Sequence, residues 1–291
     1  MNNLLFGIKN IYDKLLKIKK NPDFAKFYLN RYVLSMFEKA EPDIYVVSYP
    51  KCGSTWVKAA LRRYLELTGH QIDSNKNPNI INLPKGKTLK FTHDMGNWVP
   101  APVRTDLLKF NTSKYRGKKI CFLVRDPRDI LVSSWYHLKY REKIFTGELT
   151  EFIRDHNSGI YKIAAFMNMW LQHIDLAREY YILTYESLRI NPDSKFNELF
   201  NFIGLKIDTN IFNLAIKETS FEKMKKIEKK GVSSEPWRNV GDRKTEKSMK
   251  TRKGKIGSYK EELCSNDIEF LNNIIISTLS KKLPYAFSQF N

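Results

Sequence analysis

The stretch SYPKCGSTWVKAAL, residues 48–61, decides how this chain is read. It overlaps the end of DIYVVSY (43–49), a β-branched apolar run of the kind that forms a buried strand. It runs into TWVKAALRRYLELTG (55–69), whose pattern predicts a helix ending near Gly69. A strand that passes to a helix through Lys51, Cys52, Gly53, Ser54, Thr55 and Trp56 makes a cradle for an anion. The first N–H groups of a helix have no partner inside it, and the helix dipole adds positive potential in front of them. Gly53 lets the backbone approach closely. Ser54 and Thr55 offer hydroxyls, and Lys51 adds a point charge. The plain alternative is an ordinary strand-to-helix turn with a serine cap. The lysine precedes the glycine, so this is not the nucleoside-triphosphatase loop G-x-x-x-x-G-K-[ST].

Working outward, KTLKFTH (87–93), KKICFLVRDP (118–127) and YYILTYESL (180–188) are further strand candidates, the last including the turn beyond its strand. RDILVSSWYHLKYR (128–141) and the segments 160–179 and 193–203 carry helical patterns. Strands alternating with helices predict an α/β fold, a central parallel sheet flanked by helices, over a single domain of 1–291. In such sheets ligands bind at the carboxyl ends of the strands, so the loops after Tyr49, Thr92, Val124 and Thr184 should face one cleft.

The whole composition fits an anionic partner. The chain has 291 residues, with 50 Lys+Arg against 31 Asp+Glu and a formal charge of +19. Its 42% hydrophobic content, with 18 Phe and 15 Tyr, excludes a disordered chain. About half the charge lies in 217–260, and 229–255 reads as a basic loop able to fold over an anion. Cys52, Cys121 and Cys264 show neither metal-ligand spacing nor a disulfide framework, which fits reduced thiols in the cytoplasm. No apolar run reaches the roughly 18 residues of a membrane span, and no secretory signal is visible. Leu4, Ile8, Ile11, Leu15 and Ile18 mark one apolar face of a basic amphipathic helix within 1–40, which docks on its own domain or rests on an anionic membrane.

Taken together, the motifs resemble those of the sulfotransferases that use 3′-phosphoadenosine 5′-phosphosulfate (PAPS). YPKCGSTW (49–56) is similar to their 5′-phosphosulfate loop. VRDPRDILVSSWYH (124–137) is similar to their 3′-phosphate motif, with Arg125 at a strand end and Ser133 two helical turns on. By itself that segment also fits a salt-bridged helix start, with Arg125 and Arg128 paired to Asp126 and Asp129. TRKGKIGSYK (251–260) resembles the third element, R-K-G-x-x-G-x-W-K, with Tyr259 in place of tryptophan. ETSFEKMKK (218–226) and LTYESL (183–188) resemble the adenosine-binding stretches. The resemblance runs from about residue 44 to 260.

What the resemblance implies is a P-loop-like, nucleoside-triphosphatase-like sulfotransferase fold that moves a sulfuryl group from PAPS to a hydroxyl or amine of a small molecule, without a metal. Lys51 would neutralise the leaving phosphate, and Ser133 would contact that lysine. Backbone N–H groups of 53–56 would hold the 5′-phosphate. Arg125, Ser133, Arg252, Lys253 and Gly254 would take the 3′-phosphate. Trp56, Tyr185, Thr219, Ser220 and Phe221 would hold the adenosine, Trp56 and Phe221 as an aromatic sandwich. His93, after Thr92, matches the family's catalytic base, a role that suits a side chain titrating near neutrality. Lys90 stands three residues before it, where relatives acting on phenols place a lysine two before, and Asp94 can orient His93 or meet a cationic acceptor. By position, Trp98, Tyr140, Phe145 and the 231–250 loop are acceptor-pocket candidates.

Lys260 and Glu269 keep the spacing of the family's dimer motif, but Cys264 and Ser265 replace its Thr-Val, leaving monomer and homodimer open. Two other classes compete on the residues alone. One is a basic nucleotide- or polyanion-binding protein without turnover, although no nucleic-acid-binding motif is present. The other is a P-loop kinase, against which stand the missing glycine and the missing magnesium-binding pair.

Overall fold

A computed structural model describes residues 41–72, 77–96, 104–230 and 245–286. The amphipathic segment 1–40, Trp98 and residues 231–244 of the basic loop lie outside the described residues.

The strands are β1 (Ile44–Ser48), β2 (Ile80–Asn82), β3 (Thr88–Thr92), β4 (Lys119–Val124) and β5 (Glu179–Thr184), in the spatial order β2-β3-β1-β4-β5. The helices are α1 (Ser54–Leu67), α2 (Thr112–Tyr115), α3 (Pro127–Tyr136), α4 (Leu149–Arg154), α5 (Ile160–His173), α6 (Tyr185–Ile190), α7 (Pro192–Phe202), α8 (Thr209–Glu218), α9 (Phe221–Lys230) and α10 (Ser265–Thr278). β1 lies at the centre, parallel to β3 on one side and to β4 on the other, and β4 is parallel to β5. Every residue of β1 is buried, as is all of β4 after Lys119, because helices cover both faces of the sheet. From β1 the chain builds first toward β3 and then, beyond it, toward β4, so the sheet's order reverses at β1. The loops that leave β1 and β4 diverge there, and that is where open α/β sheets bind ligands.

The sheet departs from a wholly parallel one at its edge, where β2 pairs antiparallel with β3. Three residues carry no alternation to read, so β2 has no sequence signature. The expected helix 128–141 is α3 followed by a π turn over His137–Arg141. The turn expected after β5 is α6, started by the Thr184 hydroxyl, which accepts from the Ser187 N–H. α9 carries the basic stretch as far as Lys230, so the loop read at 229–255 begins inside a helix. One hydrophobic core runs from Ile44 to Ala286, with Phe122 stacked at 5.9 Å on the fully buried Trp170.

Candidate active site

The loop after β1 is held open by its backbone. Lys51 and Gly53 both have positive φ, 75° and 98°. Gly53 is the cap residue of α1, and no side chain caps that helix. A Cβ on Gly53 would lie 2.7 Å from the Tyr185 ring, so glycine is required by conformation and by space. The Trp56 N–H is engaged by the Gly53 carbonyl at 2.9 Å, which leaves 53–55 rather than 53–56 as the open amides. The Cys52 thiol is buried in the core, where burial pushes its pKa far up, so only its backbone faces the loop. Lys51 Nζ makes no hydrogen bond or ion pair among the described residues, and none joins it to Ser133. Burial, then the charges of Arg141, Lys250 and Arg125, outweigh Glu228 and bring its pKa from 10.5 to about 7.

His93 follows β3, one strand over. Its Nδ1 lies 2.9 Å from the carbonyl oxygen of Ser48, the last residue of β1, and 3.2 Å from the Ser48 hydroxyl. A carbonyl only accepts, so the proton sits on Nδ1 and the basic lone pair on Nε2. Lys90 lies mid-strand in β3, about 7 Å short of the strand end at the usual rise. Asp94 turns toward α2. Its Oδ1 accepts from the Tyr115 hydroxyl at 2.9 Å and lies 3.7 Å from Lys114. Burial, resisted by Lys114 and the Tyr115 hydrogen bond, raises its pKa.

Arg125 leaves the end of β4 and is buried. Its Nη1 donates to the Lys51 carbonyl at 3.2 Å, its Nη2 lies 3.5 Å from Asp129, and its Nε has no partner. Arg128 grips Asp126 through two side-chain hydrogen bonds, at 3.0 and 2.7 Å. The salt-bridged helix start and the open guanidinium nitrogen therefore coexist. The Asp126 N–H donates at 2.9 Å to Glu186, whose other oxygen receives the Tyr285 hydroxyl.

Tyr185 ties the loops together. Its ring packs on Gly53, the Arg125 guanidinium lies 4.3 Å from the ring centre, and its hydroxyl donates to the Gly254 carbonyl at 3.2 Å. The segment around Gly254 is held between two helix faces. On α3, Asp129 accepts from the Gly257 and Tyr259 amides and the Ser258 hydroxyl. Ser133 and Tyr136 continue that face, and Arg252 stacks 3.8 Å over the Tyr136 ring. The Tyr259 ring receives the Arg128 guanidinium at 4.4 Å. On α9, Phe221 packs on Gly254, Lys225 donates to the Arg252 carbonyl at 2.7 Å, and Glu228 takes the Lys250 and Thr251 amides. Burial alone would raise the Glu228 pKa, yet those bonds, the Thr251 hydroxyl and the Arg141 charge hold it low.

The remaining expectations divide. Trp56 meets Tyr185 edge-on at 6.5 Å, and Arg189 lies 5.6 Å from the Trp56 ring and 5.0 Å from the Phe221 ring. A guanidinium thus joins the two expected base-stacking rings. Ser220 caps α9 through the Lys223 N–H. The Thr219 hydroxyl is turned into α8, donating to the Ala215 carbonyl at 2.7 Å. Ser133 is half-buried and points no hydrogen bond at a described residue. Arg252 and Lys253 are both paired, at 2.8 and 2.6 Å, with Glu262. Phe145 packs edge-on against Phe152, and Tyr140 stacks on Tyr136.

Sequence reading missed Arg141, Arg189, Glu228 and Glu262. Arg189 stands four residues after Tyr185, and Glu228 seven after Phe221, which are the only sequence signals for them. Among the described residues no cluster of His, Cys, Asp or Glu can hold a metal ion, and no helix is long and apolar enough to cross a membrane.

A family model described as a sulfotransferase domain matches residues 41–282. Flavonol 3-sulfotransferase of Flaveria bidentis is 24% identical, over 81% of this chain and 82% of its own length. Cytosolic sulfotransferase 17 of Arabidopsis thaliana is 26% identical, over 78% of this chain and 71% of its own. The solved structure of a mouse sulfotransferase complexed with PAP superposes with a TM-score of 0.58 at 18% identity, covering 86% of this chain and 89% of that one.

Proposed function

The chain belongs to the sulfotransferase-domain family, and from that premise we propose how its own residues carry out PAPS-dependent sulfuryl transfer to a small-molecule acceptor. The observation that carries the assignment is Tyr185, which touches the 5′-phosphosulfate loop at Gly53, the 3′-phosphate strand at Arg125 and the third motif at Gly254. Three motifs far apart in sequence thereby form one site.

The residues present fit the donor nucleotide. Arg125 has a buried nitrogen without a partner, α1 has an uncapped N-terminus, and Gly53 and Gly254 are kept bare by the rings of Tyr185 and Phe221. The amides of 53–55, with Ser54 and Thr55, hold the 5′-phosphate. Arg125, Ser133, Arg252 and Lys253 hold the 3′-phosphate, and Trp56, Phe221 and Arg189 hold the base. When bound, PAPS supplies the sulfuryl group, its bond to the 5′-phosphate oxygen breaking as a bond to the acceptor oxygen or nitrogen forms. His93 Nε2 takes the acceptor proton, since Ser48 fixes the tautomer that leaves this nitrogen basic. Protonated Lys51 meets the charge that develops on the departing phosphate. Beyond that proton transfer, the protein's contribution is positioning and charge stabilisation, as in phosphoryl transfer.

The acceptor is a soluble alcohol or amine, and the protein works in the cytoplasm as one domain, as a monomer or homodimer. The relatives named flavonol 3-sulfotransferase and cytosolic sulfotransferase 17 support this, as does the single core from Ile44 to Ala286. A nucleic-acid role is not favoured, because Arg252, Lys253 and Lys255 lean on Glu261 and Glu262 rather than forming a bare cationic face.

The test is calorimetric titration, without magnesium, with adenosine 3′,5′-bisphosphate beside AMP and ATP. Tight binding of the bisphosphate alone is the expected result. Equal binding of all three would return the chain to a general polyanion binder.

A further inference from the structure

The cations assigned to the 3′-phosphate already share an anion of the protein's own. Glu262 Oε1 lies 2.8 Å from Arg252 Nη1 and 2.6 Å from Lys253 Nζ. Its Oε2 accepts from the Tyr136 hydroxyl at 2.9 Å. Tyr136 is also the ring on which Arg252 stacks, at 3.8 Å. A carboxylate gathered by an arginine, a lysine and a hydroxyl receives what a phosphate would receive. Burial alone would raise the Glu262 pKa, yet hydrogen bonds from Lys253, Arg252 and Tyr136 keep it below 4.5, so the group stays anionic at neutral pH.

We propose that Glu262 is an internal competitor for the 3′-phosphate, exchanging places with it on Arg252 and Lys253 and thereby setting how tightly the nucleotide is held and how fast it leaves. This rests on the assignment of Arg252 and Lys253 to the 3′-phosphate. A phosphate monoester carries between one and two negative charges near neutrality, against one on Glu262, so it wins the cations. Lys253 has a second partner in Glu261 at 2.9 Å, which gives it an alternative hold during the exchange. Free monoanions and nucleotides without a 3′-phosphate leave Glu262 where it is. The carboxylate therefore keeps the clamp in shape and costs the true ligand part of its affinity.

The test is titration of full-length wild type, Glu262→Gln, Tyr136→Phe and Arg252→Ala with adenosine 3′,5′-bisphosphate and with 5′-AMP, together with stopped-flow dissociation. Glu262→Gln should bind the bisphosphate about tenfold tighter, the size of one charge-assisted hydrogen bond, with slower release and unchanged AMP affinity. Tyr136→Phe, which loosens Glu262 without touching its charge, should move the same way by roughly twofold to threefold. A residue that merely supports Arg252 would give the opposite sign, so weaker or unchanged bisphosphate binding in both variants overturns the exchange. Arg252→Ala separates the two readings. If it weakens bisphosphate and not AMP while Glu262→Gln gains nothing, only the exchange fails. If it changes nothing, the 3′-phosphate assignment fails and the exchange falls with it.

Discussion

The two ends of the proposed nucleotide site are built in opposite ways. At the loop after β1, Lys51 has no carboxylate partner among the described residues, Gly53 leaves α1 uncapped, and positive φ angles fix the backbone. At the segment 252–262, both clamp cations are paired, Arg252 with Glu262, and Lys253 with Glu261 and Glu262. The first end is preorganised and carries its cost permanently, as strain and as a lysine held near its titration point. The second is neutralised and has to change partners. The difference follows the chemistry: charge that appears only in the transition state needs fixed donors, whereas charge that arrives with the ligand can be exchanged.

The sharpest break would come from the first end. His93→Ala should cut transfer by about 10²–10⁴-fold, the usual value of a general base, while bisphosphate affinity measured by calorimetry stays put. Lys51→Ala should lower kcat by about 10²–10³-fold and leave the fold unchanged by circular dichroism. Survival of activity in either variant would mean that the preorganised end is not where the chemistry happens. At the exchangeable end, Arg252→Ala should weaken the bisphosphate by roughly 10–100-fold with kcat little changed.

The pH profile follows from the sign of the Lys51 shift. Its pKa falls from 10.5 to about 7, so the free enzyme loses this ammonium as pH rises through about 7. kcat/KM for the nucleotide should then fall about tenfold per pH unit on the alkaline side, and Lys51→Arg should flatten that limb. Stability moves the other way. Between about pH 7 and 10.5 the unfolded chain binds a proton that the folded one does not, so thermal stability should gain from this group as pH rises, a gain absent in Lys51→Met. The smallest effect should come from Glu261→Gln. Glu261 is solvent-exposed, and its removal should change bisphosphate affinity by less than about twofold, in contrast to Glu262→Gln.

The first end was legible in the sequence and the second only in outline. YPKCGSTW (49–56) contains its whole cradle, because a strand, a turn and a helix start are local events. The parallel strands were readable for the same reason, β1 and β4 being short runs buried on both faces. The motif 251–260 named the candidate cations and not the groups that hold them. Their partners lie on α3, on α9 and in the turn after the motif, and registers between helices distant in sequence leave no local pattern. Asp94 is a third case: the sequence left it to orient His93 or to meet a cation, and its Oδ1 turns to Tyr115 and Lys114. The π turn at His137–Arg141, which carries Arg141 into the field of Lys51, was hidden inside an ordinary helical periodicity.

The hydroxyl of Tyr285 reaches Glu186, and Glu186 holds the Asp126 amide at the end of β4, next to Arg125. Translation runs from the amino end, so the strand that presents Arg125 is made well before the tyrosine that tethers it. The proposed nucleotide site of a nascent chain therefore lacks this tether until Tyr285 has left the ribosome. A nascent chain arrested before Tyr285 would have its sheet and its phosphosulfate loop, but not the tether that steadies the end of β4 beside Arg125.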